Sequence, residues 1–428
     1  MRRMPERTPD SPSRMSPLPY RPALDGLRAL AVLAVLLYHA DLSWAPGGFL
    51  GVEIFFVLSG YLITALLLRE WQDHGRIDLK VFWLRRARRL LPALFVLLAG
   101  VLAFTVLFMP EEVASLRGDA LATAGYVLNW RLIFEQKSYF ETVGRPPLLQ
   151  HLWSLAVEEQ FYLLWPLLFA AGMRGLRRGG MLLAICAGAA AAALLMAELY
   201  QPDGDPSRVY YGTDTRTAGF LAGAALALAQ APVRGRVSAT PPSDQVRAKD
   251  ATPPPVWRRK GPWDGRGTAM ALIFDCFGLF ALGTLAWQVV AVDEFQPRLY
   301  QGGLAAIALL STVVVAAAAD GRARLLPRVL GWGPLRWAGL RSYGIYLWHW
   351  PIFMVTRPQL DVSVDGLPLL ALRVGATLAI AELSYRYVEL PIRGGGLGRA
   401  WHALRNARGS ARWRLGARWA GVTLMSLA

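Results

Sequence analysis

Cysteine is nearly missing from this chain: among 428 residues there are two, Cys186 and Cys276, each inside an apolar stretch. That leaves neither a disulfide framework nor a thiolate metal site. Lysine is scarce too, present only at positions 80, 137, 249 and 260, so arginine carries nearly all of the positive charge. There is no His-Glu-x-x-His pair, no Gly-x-Ser-x-Gly elbow and no phosphate-cradling Gly-Lys-Ser/Thr loop. These absences argue against a zinc hydrolase, an elbow-type serine hydrolase and a P-loop enzyme, and no metal ligand set is expected. Basic residues outnumber acidic ones 46 to 30, yet no nucleic-acid-binding module accompanies them. The arginine clusters fall between hydrophobic segments and read as cytoplasmic loop charges. The first 23 residues are Pro-rich and charged, and no small-residue cleavage site follows the first apolar run, which is expected to stay as an uncleaved helix.

What the chain has in abundance is hydrophobic sequence, 54% of all residues, too much for a soluble protein of this length. Apolar runs cover 24–44, 49–68, 90–109, 152–170, 181–199, 218–231, 269–291, 302–319, 343–356 and 367–387. The expected fold is therefore all-α, a polytopic membrane protein with ten transmembrane helices. Arg-rich segments alternate with acidic or mixed ones, which places both ends of the core, and the N-terminus, in the cytoplasm of a multi-pass plasma-membrane protein. Leu116 to Phe134 breaks the alternation and is expected to be one re-entrant or interfacial helix. The expected organisation is a disordered cytoplasmic tail 1–23, a membrane core 24–393 containing a flexible cytoplasmic loop 232–268, and a basic segment 394–428. The apolar start at 419–428 is far short of the roughly 20 residues a crossing needs, so it either lies on the membrane surface or begins an eleventh crossing.

Ionisable side chains inside such helices are costly and are candidate site residues. The first segment carries Arg28 and His39. Eleven helical steps amount to about 1100° of rotation and about 16 Å of rise, which returns both to nearly one face. Asp25 lies within about 40° of that face. His39 is a candidate general base, for which a carboxylate would serve as orienter. Glu158 is the leading candidate, because Ser154 and Glu158 stand at i and i+4 with His151 one turn earlier. Glu53, at the start of the second helix, is a second candidate or the structural partner of an arginine. Arg86 and Arg89, one turn apart in Arg85-Arg-Ala-Arg-Arg89, form either a topology anchor or a fork for phosphate. Asp214 and Arg216 either bind an acceptor or pair with each other, and His349 sits about two turns into an aromatic-rich helix.

Six motifs stand in order along the chain: Asp25-Gly-Leu-Arg-Ala-Leu-Ala-Val with His39 eleven residues after Arg28, Gly51-Val-Glu-Ile-Phe-Phe-Val-Leu-Ser-Gly-Tyr-Leu-Ile63, Arg85-Arg-x-x-Arg89, Trp153-Ser-Leu-Ala-Val-Glu-Glu-Gln-Phe-Tyr162, Gly212-Thr-Asp-Thr-Arg216 and Ser342-Tyr-Gly-Ile-Tyr-Leu-Trp-His-Trp-Pro351. By these motifs the chain resembles the acyltransferase-3 family of integral membrane O-acyltransferases, on the cell-surface glycan branch. The resemblance implies transfer of an acetyl or similar short acyl group from cytoplasmic acyl-CoA, usually acetyl-CoA, to a hydroxyl of an envelope glycan or small molecule. It also implies a catalytic His39 with Arg28 beside it, and Arg86 and Arg89 near the donor. Position 53 is more often Asp in that family, and relatives on this branch often add an eleventh helix and an extracytoplasmic SGNH-type domain. Beside the membrane lipid, the expected partner is the glycan or small-molecule acceptor. Two rival readings remain from the residues alone: a proton-coupled secondary transporter built on His39, Arg28 and Glu158, and a catalytically dead scaffold.

Overall fold

A computed structural model describes residues 19–140, 144–231, 265–358, 360–396 and 399. Among these residues every long element is helical, and the β-type pairing is one isolated bridge between Pro358 and Val362. Leu-, Ala- and Val-rich runs satisfy their backbone hydrogen bonds internally as helices, the form a bilayer demands. The ten long helices are α1 (Pro22–His39), α2 (Gly51–His74), α3 (Leu79–Phe108), α4 (Trp153–Gly175), α5 (Arg178–Leu199), α6 (Thr213–Gln230), α7 (Gly265–Ala291), α8 (Leu304–Ala319), α9 (Gly333–Met354) and α10 (Gly366–Ser384).

Seven stretches are long and apolar enough to cross a membrane: Pro22–His39, Pro46–His74, Leu79–Phe108, Arg178–Leu199, Ala269–Ala291, Leu299–Ala319 and Gly366–Arg393. The expected segments 152–170, 218–231 and 343–356 are helical as well, as α4, α6 and α9, and these carry Glu158, Arg216 and His349. The expected tail and the loop 232–268 lie mostly outside the described residues, as does 394–428.

One expected helix is two. The segment 116–134 is covered by two helices, Val113–Ala124 and Leu128–Phe134, separated where Tyr126 takes a left-handed backbone, φ 55°. The break is held by hydrogen bonds that a continuous helix could not make. Gln160 of α4 donates to the Tyr126 carbonyl at 2.7 Å and to Asn129 Oδ1 at 3.0 Å, while Asn129 donates to the Tyr211 carbonyl at 3.1 Å.

At the centre, α1 packs between α9 and α2, α2 lies along α6, and α6 along α5. Small residues allow the closest approaches. A Cβ at Gly60 would overlap the Phe220 carbonyl oxygen and one at Gly223 the Val57 carbonyl oxygen, so α2 and α6 meet backbone to backbone. Prolines create another kind of contact, because each removes one helical N–H and frees the carbonyl four residues earlier. Pro351 frees Leu347, whose carbonyl accepts from His151 Nε2 at 3.1 Å. Pro166 frees Tyr162, whose carbonyl accepts from the Trp83 indole at 3.2 Å. Helix α3 packs lightly and leaves Leu107 and Phe108 exposed. Beside it, a groove of about 690 Å³ between α3, α9 and α10 is lined by residues such as Phe104, Trp348 and Ile352, with no charged side chain among the described residues.

Candidate active site

The charged cavity is a different one, of about 230 Å³, walled by α1, α2, α3, α4 and α9. Arg28 enters from α1 and Arg86 and Arg89 from α3, one turn apart; their neighbours Arg85 and Arg88 are exposed. Among the described residues the lining holds one carboxylate, Glu158, against these three guanidinium groups, a formal excess of two positive charges. Among the described residues no ion pair engages any of the three arginines. Arg28 instead donates from Nε to Ser342 Oγ at 3.1 Å, and the Arg86 guanidinium lies 4.6 Å from the Tyr162 ring centre. Glu158 accepts hydrogen bonds from Ser59 and Tyr162. Glu158 and Tyr162 are one helical turn apart, so α4 presents both to the cavity.

The inner wall of the cavity is a polar bridge. Ser154 Oγ and Tyr346 OH lie 2.6 Å apart, and Tyr346 OH donates to the His151 carbonyl at 2.7 Å. His39 does not line the cavity. It stands behind Tyr346 in a dry cluster: the Tyr346 ring is 5.3 Å from that of His349, and His349 Nε2 is 2.9 Å from His39 Nδ1. The second nitrogen of His39, Nε2, is 2.9 Å from the Tyr139 hydroxyl. His349 Nδ1 faces the Tyr346 carbonyl at 2.6 Å. Trp350 closes the cluster edge-on against His39, with ring centres 4.6 Å apart. His151 and His349 are wholly buried, and His39 is 7% exposed.

Several expected pairings turn out differently. Among the described residues the side-chain partners of His39 are His349 and Tyr139, and Glu158 is not one. Asp25 lies outside the cavity, accepting from Tyr20 at 2.7 Å. Asp214 pairs with Arg208 at 2.8 Å, and Arg216 pairs with Glu53 at 2.9 Å, both ends of the latter buried. That pair sits between Phe56 and Tyr210, with the guanidinium 4.9 Å from the tyrosine ring centre. Sequence reasoning left Tyr139, Ser59, Tyr162 and Tyr346 unassigned. Tyr162 carries a signal, its i+4 relation to Glu158; Tyr139 lies outside any helical repeat and carries none.

The sequence matches the family model of an acyltransferase domain over residues 21–386. It is 45% identical over 379 residues to a peptidoglycan O-acetyltransferase of Listeria monocytogenes, covering 88% of this chain and 56% of that one. It is 41% identical to a putative peptidoglycan O-acetyltransferase of Bacillus subtilis (87% of this chain, 55% of the relative) and 35% identical to an O-acetyltransferase of Staphylococcus aureus (87% and 57%). The chain spans about half the length of these curated relatives. No solved structure matches it.

Proposed function

Because the chain belongs to the acyltransferase-3 family, we propose that it moves an acetyl or similarly short acyl group from an acyl-CoA on the cytoplasmic side to a hydroxyl of a cell-wall glycan. The observation that carries this reading is the cavity with an excess of two positive charges, whose three guanidinium groups form no ion pair with a carboxylate among the described residues. Arginines left unpaired in an apolar setting call for an anion. Arg28, Arg86 and Arg89 would hold donor phosphates. At about 230 Å³ the cavity is smaller than the roughly 300 Å³ of ordinary ligand pockets, so it suits a narrow thioester arm with its nucleotide outside. When bound, the thioester supplies the acyl group.

This chain's own residues do the rest. His39 accepts the proton of the attacking hydroxyl through one ring nitrogen, in the dry cluster behind Tyr346. Glu158 acts as a positioning group, fixing Ser59 and Tyr162 at the cavity wall, where Tyr162 in turn supports Arg86. Glu53 and Arg216 neutralise each other and hold α2 to α6. The glycan acceptor is favoured over a small molecule by the names of the relatives, which specify peptidoglycan for the Listeria protein. In the membrane we read ten crossings, with both ends of the core cytoplasmic.

The test compares envelope glycans by mass spectrometry from cells carrying the parent chain or His39→Ala. The parent should add acetyl-sized mass, and the variant, present in the membrane at equal amount, should add it about 10²-fold less or not at all. Equal acetylation would remove His39 from the reaction.

A further inference from the structure

We propose that His349 is a positioning residue that fixes which ring nitrogen of His39 carries the proton, an inference that rests on His39 being the base of the reading above. The Tyr346 carbonyl only accepts, so the His349 Nδ1 that faces it at 2.6 Å carries a hydrogen. A neutral imidazole has one N–H, which leaves a lone pair on His349 Nε2. The nitrogen 2.9 Å away, His39 Nδ1, must then donate. His39 Nε2 is left as a lone pair and accepts from the Tyr139 hydroxyl at 2.9 Å.

Donation therefore runs in one direction, from the tyrosine hydroxyl through two rings to a main-chain oxygen. Turning over either tautomer would set two lone pairs or two N–H groups against each other. The cluster is buried, His349 fully and His39 to all but 7%, so such a clash would be costly. His151, the third ring, does not compete. Its Nε2 donates to the Leu347 carbonyl, so its Nδ1 is an acceptor, buried and without a partner. The outcome is that a substrate hydroxyl taking the position of the Tyr139 hydroxyl meets a lone pair on His39 rather than an N–H. A positioned base contributes about 10²- to 10⁴-fold, and a base in the wrong tautomer contributes none of it.

The experiment uses the full chain in lipid nanodiscs with 15N-labelled histidine, the His39 signals being identified by their loss in His39→Gln. The parent should show a protonated Nδ1 and a bare Nε2 on His39. In His349→Ala the two tautomers should mix, and kcat for release of CoA from acetyl-CoA should fall about 10²-fold with donor KM unchanged. His349→Gln should recover most of the rate, since its amide oxygen accepts from His39 and its NH₂ faces the Tyr346 carbonyl. A parent His39 protonated on Nε2 would overturn the inference, and so would a His349→Ala protein with unchanged tautomer and kcat. If His349→Ala does not fold, the parent spectrum and the glutamine variant still decide. Undiminished turnover in His39→Ala would instead defeat the functional reading, leaving the measured tautomer to stand alone.

Discussion

Arg28 and Arg86 reach the same cavity from different helices, and among the described residues neither forms an ion pair with a carboxylate. An arginine acting only as a topology anchor would stay on the surface, as the exposed Arg85 and Arg88 do. The double variant Arg86→Ala, Arg89→Ala should therefore weaken acyl-CoA binding by about tenfold per guanidinium, the loss expected for a charged hydrogen bond. Titration of purified protein with acetyl-CoA measures it, and an unaltered Kd would leave these arginines as anchors. The residue-level reading of the sequence reaches as far as helical period carries it. Arg28, Arg86, Arg89, Ser154 and Glu158 all line one cavity, because each was placed by spacing on its own helix. It failed where depth across helices mattered: rise along α1 and along α4 cannot say which residues meet, and His39 meets His349 and Tyr139 instead of Glu158.

Among elements, the contact of α2 with α6 depends on glycines in both. Gly223→Leu would force the α6 backbone away from Val57 and lower stability by about 1–3 kcal/mol, the usual cost of overpacking. The change is read as a lower unfolding temperature of the purified protein, whereas a replacement at Gly75, where no neighbour lies within 4 Å of a Cβ, meets only the strain of its positive φ. Ten apolar runs appear as ten long helices, since hydrophobic length marks a helix strongly. Their polar ends and breaks are less legible. The turn at Tyr126 is maintained by Gln160 and Asn129, partners that no local pattern announces.

At the scale of the whole molecule, the map of sides can be checked directly. Single cysteines at Pro147 and Gln201 should label from outside with an impermeant reagent, and one at Ser243 should be protected until the membrane is opened. Ser243 lies outside the described residues, so the experiment also tests the loop assignment made from composition. The reverse labelling pattern would invert the protein and put the arginine cavity on the wrong side for a cytoplasmic donor.

The bridge between Ser154 and Tyr346 has an electrical consequence. Among the described residues it stands between the charged cavity and the histidine cluster, so the protein at rest is expected to act as an insulator. Vesicles carrying the protein should hold an imposed proton gradient as long as empty ones do. A proton-coupled carrier would discharge it when given its substrate. Under the proposed function, acyl transfer would have to proceed beside a charged membrane without short-circuiting it, and the contact of the Tyr346 phenol with the Ser154 hydroxyl is where that separation is expected.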